Sequence, residues 1–385
     1  MENTENTKNT DTKTEAQAEL LFNRLRKRQK HLEKWAARTG AGAYRLYDRD
    51  IPEIPLVLDF YRNDRLKAVS GALYKRPYEK DLNEEERWIC SMADAASRAL
   101  EIERQNIFIK IRRPQRRRIP ASEKPEKEFD KKYHIDKKYQ LDKENQIDKK
   151  STQYQKESNE NFEMTIKENG LDFIVNLSDY IDTGLFPDLR LLRKMVMDGA
   201  RDKTVLNLFC YTGSFSVYAA KGGARSVDSV DMSSTYLKRA ARNAALNGVK
   251  ISPERADVFR FLERAAQDGR RWDIIIADPP AFSNSKKMAG NPLGGVFDIN
   301  RDYRFLISKC LPLLKAEGRL FFCVNVRKFR VQDFNSCGLF DNLKTGKDAG
   351  GIEKNILVKD ITESVRDEDF RKKRMPLCCL LTKQF

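Results

Sequence analysis

The chain has 385 residues, enough for two domains that each bury an apolar core. Its 73 Lys and Arg against 57 Asp and Glu give a formal net charge of +16, which favours a polyanionic partner. A charged surface that only keeps the protein soluble is the alternative. No apolar run reaches the roughly 20 residues of a membrane-spanning helix, and residues 1–14 are too polar for a secretory signal. We therefore expect a cytoplasmic protein without membrane contact.

Cysteine and histidine usage excludes several kinds of site. The seven cysteines form no CxxC pair, and His31 and His134 are the two histidines. A metal site would have to be assembled from scattered ligands, so we expect none. The odd number and irregular spacing of the cysteines indicate reduced thiols. A mechanism that depends on histidine as a general base is disfavoured for the same compositional reason.

The N-terminal part of the chain predicts a small α+β domain over residues 16–175. Residues 1–15 are polar and predict a disordered tail. Apolar residues at helical spacing predict an amphipathic helix over 17–38, whose basic side is either a solvated surface or a nucleic-acid contact. Two strands, a second helix and a further strand are then predicted over 57–60, 66–73, 84–102 and 107–111.

A low-complexity insertion interrupts this domain over residues 115–150. The sequence Asp-Lys-Lys-Tyr begins at Asp130 and again at Asp136, and related Asp-Lys sequences follow at Asp142 and Asp148. This repeat is far shorter than any solenoid unit, and its content is too polar to build a core. We expect a flexible cationic arm, which is either a tether for nucleic acid or a spacer without function.

The C-terminal part, residues 176–385, predicts a doubly wound α/β domain. Short apolar runs alternate with helical patterns, as expected of parallel strands that are buried on both faces and joined by right-handed crossovers. The predicted strands cover 204–209, 226–231, 249–255, 273–278 and 319–326. The predicted fold class is therefore α/β, with a mostly parallel, Rossmann-like sheet beside the smaller N-terminal α+β domain.

Polar residues follow three consecutive predicted strands. Gly213 lies in the loop after the first strand, where glycine lets the backbone turn tightly and approach a ligand. Asp231 ends the second strand, close to the spacing from Gly213 at which a carboxylate binds ribose hydroxyls. Asp257 follows the third strand and can meet an adenine amino group. Together they predict an adenosine-binding site, although the glycine pattern of a pyrophosphate loop is absent.

The fourth predicted strand ends in Asp278, Pro279 and Pro280, and Phe282 follows. The two prolines fix the backbone directly after the acid. A stiff turn with a capping acid is the alternative. An acid followed by two prolines and an aromatic is the arrangement with which many methyltransferases hold a planar base beside the methyl donor. We therefore predict Asp278, Pro279 and Phe282 as the catalytic residues.

These motifs resemble a family of bacterial ribosomal RNA methyltransferases. The stretches that carry the resemblance are 207–213, 222–226, 231–233 and 278–288. The greatest similarity is to the K domain, which methylates guanine N7 and forms the C-terminal half of the two-headed 23S rRNA methyltransferase K/L. The resemblance covers about residues 20–385 apart from the insertion. It implies a class I fold, S-adenosylmethionine as cofactor, and 23S rRNA or a large-subunit precursor as partner of an RNA-binding N-terminal domain.

The resemblance also implies roles for individual residues. The residues implied at the cofactor are Phe209, Thr212, Gly213, Asp231, Met232 and Asp257. A segment over 182–190 resembles the family's lid and adds Thr183, Gly184, Asp188 and Arg190. Four cations are predicted to lie near the RNA backbone, namely Lys286, Lys287, Arg327 and Arg330.

Guanine N7 has an exposed lone pair, so its methylation needs no general base, which fits a chain with two histidines. Cytosine-C5 methylation is the alternative within the enzyme class. It requires a cysteine thiolate, for which Cys323 is the candidate, although its apolar strand favours an inert buried thiol. A non-catalytic RNA-binding or ribosome assembly factor is the alternative outside that class. The presence of Gly213, Asp231 and Asp278 argues against it.

Overall fold

The computed structural model describes residues 2–74, 81–112, 160–283, 293, 296–326 and 356–383, with side chains except for 2–11 and 82. Several predictions concern residues outside these ranges. They are the low-complexity insertion over 115–150 and the cations Lys286, Lys287, Arg327 and Arg330.

A four-stranded sheet forms the centre of the N-terminal domain. Its strands are β1 (Ala43–Asp48), β2 (Leu56–Arg62), β3 (Lys67–Leu73) and β4 (Ile107–Ile111). The first three strands are antiparallel, and β4 joins parallel to β3 after a crossover through helix α2 (Leu82–Leu100). Helix α1 (Glu2–Thr39) packs with α2, and the apolar sides of both helices share one core with this sheet. The predicted strands and helices of this domain are thus present, and β1 is an addition.

Helix α1 differs from the predicted disordered tail over 1–15, because it begins at Glu2. Its apolar residues Leu21, Leu25 and Leu32 are buried in the core and fix the middle of the helix. Once a helix is nucleated in this way, each further residue is added without a new nucleation cost. Polar composition alone was therefore a poor guide to the start of α1.

A β-hairpin lies between the two domains. Its strands are β5 (Glu163–Glu168) and β6 (Leu171–Asn176). Its apolar side chains share one core with Tyr61 of the N-terminal sheet and with Tyr218 of the C-terminal domain. Close approach requires glycine at Gly42, where a Cβ would lie 2.6 Å from the Lys167 carbonyl oxygen. The predicted domain boundary at residue 175 thus falls inside a strand that packs against both domains.

A seven-stranded sheet forms the centre of the C-terminal domain. Across the sheet its strands are β14 (Ile356–Asp360), β15 (Leu377–Lys383), β13 (Leu314–Val324), β10 (Trp272–Ala277), β7 (Thr204–Leu208), β8 (Ser226–Asp231) and β9 (Ser252–Arg255). Strand β15 is antiparallel to both neighbours, and the other neighbouring pairs are parallel. A separate short pair consists of β11 (Phe282–Ser283) and β12 (Phe297–Asp298).

Helices pack on both faces of this sheet. The helices are α3 (Arg190–Asp198), α4 (Ser214–Lys221), α5 (Ser234–Leu246), α6 (Val258–Gln267) and α7 (Ile299–Cys310). Strand β10 shows the alternation, since Ile275 packs with α6 and α7 while Ile274 and Ile276 pack with α3 and α4. Burial on both faces explains why the strands appeared as continuous apolar runs. The predicted fold class, a doubly wound and mostly parallel sheet, is confirmed.

A buried network of charges joins the hairpin, helix α3 and the C-terminal segment. Glu168 at the end of β5 accepts two hydrogen bonds from Arg193, at 2.8 and 2.9 Å. It also lies 3.4 Å from Arg190, which in turn pairs with Asp367 and Asp369 at 2.7 and 3.3 Å. Glu168 and both arginines are 1% exposed. A buried charge is stable only when paired, so these contacts fix the three elements relative to one another.

Removing the shared carboxylate should destabilise the fold. Glu168→Leu leaves Arg190 and Arg193 under-compensated, and breaking a buried pair in this way costs about 3–5 kcal/mol of unfolding free energy. Urea unfolding followed by circular dichroism measures this loss. The matched control is Lys167→Ala, which removes an exposed pair with Asp172 and should leave the unfolding free energy nearly unchanged. Equal losses in the two variants would contradict the proposed role of the network.

Candidate active site

The carboxyl ends of β7, β8, β9 and β10 lie at one edge of the sheet, because these strands are parallel. The chain runs from β7 outward to β9 and then returns to β10 on the other side of β7. Loops diverge at such a switch point and leave a crevice for a ligand. The predicted residues that follow these four strands are Phe209, Thr212, Gly213, Asp231, Met232, Asp257, Asp278 and Pro279. We call the space at this edge the crevice.

The loop after β7 has a strained backbone. Phe209, Tyr211 and Gly213 have positive φ angles of 53°, 51° and 75°. Such angles are costly for bulky side chains and are concentrated at sites that bind ligands. At Gly213 a Cβ would lie 2.6 Å from the Cβ of Ala240 on α5, so glycine is required for the loop to pack there.

Thr212 connects this loop to the segment that precedes α3. Its hydroxyl donates to the Gly184 carbonyl at 2.5 Å, and its own carbonyl accepts from the Asn243 side chain at 2.9 Å. The neighbouring Thr183 hydroxyl shares a hydrogen bond of 2.9 Å with Tyr61 of the N-terminal domain. The structure therefore brings the predicted lid residues Thr183 and Gly184 against the loop after β7, which is predicted to bind the cofactor.

Asp231 lies at the carboxyl end of β8 with its carboxylate held by the backbone. One oxygen accepts from the amide of Tyr211 at 3.0 Å and the other from the amide of Ser233 at 2.8 Å. Burial nevertheless raises the pKa of Asp231 to about 6. No cation in the described part of the chain forms an ion pair with it, and each carboxylate oxygen keeps a further acceptor position. This arrangement suits hydroxyl donors.

Met232 and Asp257 lie at the same edge with different surroundings. Met232 is half-buried and packs against the core on the α6 face of the sheet. Asp257 caps helix α6, where one carboxylate oxygen accepts from the amides of Phe259 and Arg260, both at 3.1 Å. Sequence reasoning missed this capping role. Because the cap uses one oxygen, the other is open to the predicted adenine contact, which stays a prediction.

One carboxylate at the crevice influences the titration of another. Asp278 follows β10, and Asp188 lies in the short 3₁₀ turn Pro187–Leu189 before α3. Burial and then the charge of Asp188 raise the pKa of Asp278 to about 7, opposed by Arg193. Burial also raises the pKa of Asp188, opposed by Arg45 and Arg193. The structure thus places a predicted lid residue beside the predicted catalytic acid.

Pairing between β11 and β12 fixes the position of Phe282. Phe282 is half-buried and lies opposite Asp298 in this short pair, while Pro279 is buried. Phe297, which precedes Asp298 in β12, stacks on Phe209 with ring centroids 6.0 Å apart. The loops after β7 and β10 are therefore connected through aromatic contacts.

Arg190 is predicted at the cofactor, and the structure shows which protein groups it contacts. Its guanidinium is buried among Glu168, Asp367 and Asp369 and donates to the Ala43 carbonyl at 2.5 Å. A buried cation needs this compensation, and the carboxylates that supply it come from distant parts of the chain. Arg190 therefore supports the segment over 182–190 through these pairs, and its contact with the cofactor stays a prediction.

Two residues of the crevice were missed. The ring of Tyr211 packs against Phe186 and edge-on against Tyr236, with centroid distances of 5.4 and 4.5 Å. Asn243 of α5 holds the Thr212 carbonyl and also accepts from a backbone amide of β6. The position of Tyr211 inside the glycine loop was an available signal. For Asn243 the sequence offered none, since its partners lie 31 and 69 residues away.

A Rossmann-like sheet with an acid at the second strand end and a strained loop at the first is the arrangement of nucleotide-binding α/β folds. Comparison with known proteins shows that the class is that of the methyltransferases. The profile of the S-adenosylmethionine-dependent methyltransferase family matches residues 136–334. A solved candidate methyltransferase from Streptococcus mutans has a TM-score of 0.64 and 22% identity, over 95% of this chain and 81% of that one. A further candidate methyltransferase, solved in complex with S-adenosylhomocysteine, has a TM-score of 0.63. These two structures show the shared fold.

Curated relatives give the family. Ribosomal RNA large subunit methyltransferase K of Neisseria meningitidis serogroup B is 38% identical over 361 residues, which cover 92% of this chain and 85% of the relative. Ribosomal RNA large subunit methyltransferase K/L of Methylococcus capsulatus is 38% identical over 320 residues, 82% of this chain. The match spans 38% of that longer relative. The chain belongs to the family of S-adenosylmethionine-dependent methyltransferases, and S-adenosylmethionine is its cofactor.

The described residues fit this cofactor. The Asp231 carboxylate, held by two amides and without a cationic partner among the described residues, can accept hydrogen bonds from the two ribose hydroxyls. The turn at Gly213 brings the backbone of the first loop to the strand ends. Acidic side chains at Asp188 and Asp278 suit a ligand that carries positive charge on its sulfur and amino group.

The described residues form neither a membrane-spanning helix nor a metal-binding cluster. Over the described ranges no helix is long and apolar enough to span a membrane. Nor do those residues contain a group of three or more His, Cys, Asp or Glu side chains that could hold a metal ion.

Cofactor affinity should depend on pH through Asp231. The ionised carboxylate accepts the ribose hydroxyls, and its ionised fraction falls below the pKa of about 6. Affinity should therefore fall as pH is lowered from 8 to 5, by up to about tenfold per unit below pH 6. Asp231→Asn should bind more weakly at pH 8 and lose this part of the dependence. Isothermal titration calorimetry with S-adenosylmethionine measures both effects.

The matched control is Asp268→Asn, because Asp268 is an exposed acid after α6. A wild-type pH dependence in Asp231→Asn would refute the assignment.

Proposed function

We propose that this methyltransferase modifies N7 of a guanine in 23S rRNA, as free RNA or in a large-subunit precursor, in the cytoplasm. The observation that carries the proposal is the 38% identity to ribosomal RNA large subunit methyltransferase K, across nearly the whole of both chains. The choice of N7 rests on the resemblance of the motifs around Asp231 and Asp278. The net charge of +16 supports a nucleic-acid substrate, since phosphate contacts dominate the affinity of such complexes.

The proposed reaction requires little acid–base chemistry from the protein. The lone pair of guanine N7 forms the new bond, and no proton leaves the base. S-adenosylmethionine supplies, when bound, a methyl group on a positively charged sulfur. The task of the protein is to hold the base in line at near-attack distance, which can contribute about 7–11 kcal/mol to rate enhancement. His31 fits this scheme, because it lies on the surface and pairs with Glu368 at 2.8 Å.

Asp278 is proposed to hold the target base and to stabilise its charge. Methylation at N7 leaves the base cationic, and an ionised carboxylate beside it lowers the energy of that developing charge. Its pKa of about 7 means that the group is partly ionised at neutral pH. Pro279 fixes the backbone after it, and Phe282 offers a ring for the base to stack on. Because N7 faces the narrow major groove of A-form RNA, the nucleotide must be unpaired or flipped.

Thiol chemistry, which cytosine-C5 methylation requires, is poorly supported. Cys323 lies on β13 with 0% exposure, and its sulfur is 3.8 Å from that of Cys378. The hydrogen bond with Cys378 and burial raise the pKa of Cys323 well above its ordinary value. Cys210 in the cofactor loop is also buried, and burial raises its pKa. A nucleophile must be a thiolate, so neither described cysteine is activated for attack on a base.

The product distinguishes these possibilities. An unmodified transcript of 23S rRNA is incubated with the protein and labelled S-adenosylmethionine, and its nucleosides are identified by mass spectrometry. We expect labelled 7-methylguanosine, reduced at least about 100-fold by Asp278→Ala, as for the loss of an electrostatic contact to the transition state, and retained in Cys323→Ala. Labelled 5-methylcytidine that disappears in Cys323→Ala would overturn the proposal. Absence of label on both the transcript and immature large subunits would favour a non-catalytic role.

The pH profile of methylation should report the Asp278–Asp188 pair. With saturating cofactor, kcat/KM for RNA should rise up to about pH 7 and then level off, because the ionised form of Asp278 is needed. Asp188→Asn removes a neighbouring negative charge, so the pKa of Asp278 should fall and the inflection should move to lower pH. Asp268→Asn should leave the inflection in place. An inflection that does not move in Asp188→Asn would contradict the coupling of the two carboxylates.

A further inference from the structure

The outer face of helix α1 carries a row of cations. Lys27, Lys30, Lys34 and Arg38 follow one another at intervals of three or four residues, so they line one side of the helix. The row extends roughly 16 Å along the helix axis. All four side chains are exposed, and within the described parts of the chain none of them forms an ion pair. Their charge is therefore directed to solvent.

A second run of cations lies beside this row. Residues 371–374 are Arg-Lys-Lys-Arg, and the exposed members are Arg371, Lys372 and Arg374. The run follows a short turn that contacts α1 directly. His31 pairs with Glu368 at 2.8 Å, and Arg28 donates to the carbonyl of Asp369 at 3.4 Å. Because His31 lies one turn from both Lys27 and Lys34, the two runs of cations are adjacent.

Two acids of this region, Asp50 and Glu368, do not neutralise the outer surface, because other cations use them. A third acid, Glu33, is exposed between Lys30 and Lys34 and forms no ion pair with them in the described parts of the chain. Asp50 pairs with Arg24 at 2.6 Å and also with Lys373. Glu368 is shared between His31 and Arg371, which lies 3.6 Å away. Burial lowers the pKa of Lys373 to about 8, and the nearby arginines contribute in the same direction. Positive charge is thus concentrated here at an electrostatic cost to the free protein.

Strand β1 connects this region to the crevice. The amide of Arg45 on β1 donates to the carboxylate of Asp369 at 3.0 Å, directly beside the basic run. The guanidinium of the same residue influences Asp188, whose charge in turn acts on Asp278. The cations and the crevice therefore lie on elements that contact one another.

We propose that the exposed face of α1 and residues 371–374 form one phosphate-binding surface for the RNA that flanks the methylated nucleotide. We call it the basic surface. The identity of the RNA rests on the proposed function, whereas the surface itself rests on the charges and contacts above. Exposed Lys and Arg bind phosphates through release of counterions, so the interaction is sensitive to salt and insensitive to sequence.

Two variants of equal charge test the proposal. In the first, Lys27, Lys30, Lys34 and Arg38 are replaced by Gln. In the control the four replaced residues are exposed cations near the amino ends of β7 and β8, at the other end of these strands from the crevice. They are Arg201, Lys203, Lys221 and Arg225. Each variant lowers the net charge by the same amount. Filter binding with an unmodified 23S rRNA transcript at several KCl concentrations measures affinity and salt slope. Calorimetry with S-adenosylmethionine verifies that both variants keep a folded crevice.

The first variant should lose about 100-fold in RNA affinity near 0.15 M salt, and its salt slope should fall by about 3. The control should keep both within a few-fold of wild type. Arg371→Gln with Lys372→Gln should weaken binding further in the first variant. Equal losses in the first variant and the control would mean that net charge alone matters and would overturn the proposal, as would unchanged affinity in the first variant.

The methylation assay and the RNA-binding measurements together distinguish failure of this proposal from failure of the proposed function. If the wild-type protein produces no 7-methylguanosine but the first variant still loses RNA affinity selectively, the substrate assignment fails and the basic surface stands. If methylation proceeds and the first variant binds and methylates like the wild type, the basic surface fails and the substrate assignment stands.

Discussion

Pairing of the buried charges around Glu168 and Arg190 is the constraint on which the arrangement of the active site depends. These groups could not remain in an apolar interior without one another, since an unpaired buried charge costs several kcal/mol. The pairing forces the hairpin, helix α3 and the C-terminal segment into contact. Arg193, held by Glu168, also lowers the pKa values of Asp188 and Asp278. The same contacts therefore hold the segment over 182–190 in place and affect the pKa values of Asp188 and Asp278.

Fold class was accessible from the sequence because burial on both faces leaves a local signal. The bounds predicted for β8, which lies between β7 and β9, equal those of the structure. Strand β14 carries no such signal, since it is an edge strand with largely exposed side chains. Strand β1 was missed for another reason. Its buried Tyr44 and half-buried Arg45 have partners in α1 and β2, which a local pattern does not reveal.

The residues of the candidate site likewise fall into those that the sequence could predict and those that it could not. Asp231 and Asp278 could be found because each follows an apolar run, and the carboxyl ends of parallel strands meet at one edge. The buried pairs of Arg190 could not be predicted, because its partners Asp367 and Asp369 lie more than 170 residues along the chain. Asp188 was named through resemblance, but its effect on Asp278 depends on how α3 packs, which requires the tertiary structure.

The contacts of Asp369 also bear on the timing of assembly. Its partners Arg28 and Arg45 precede it by 341 and 324 residues. During synthesis the N-terminal sheet is complete long before this carboxylate leaves the ribosome, and contacts of such long range form late in folding. Until then Arg190 lacks two of its three anionic partners, and helix α1 has no C-terminal segment beside it. A nascent chain on a ribosome, surrounded by ribosomal RNA, therefore acquires these contacts only after residues 367–369 have been synthesised.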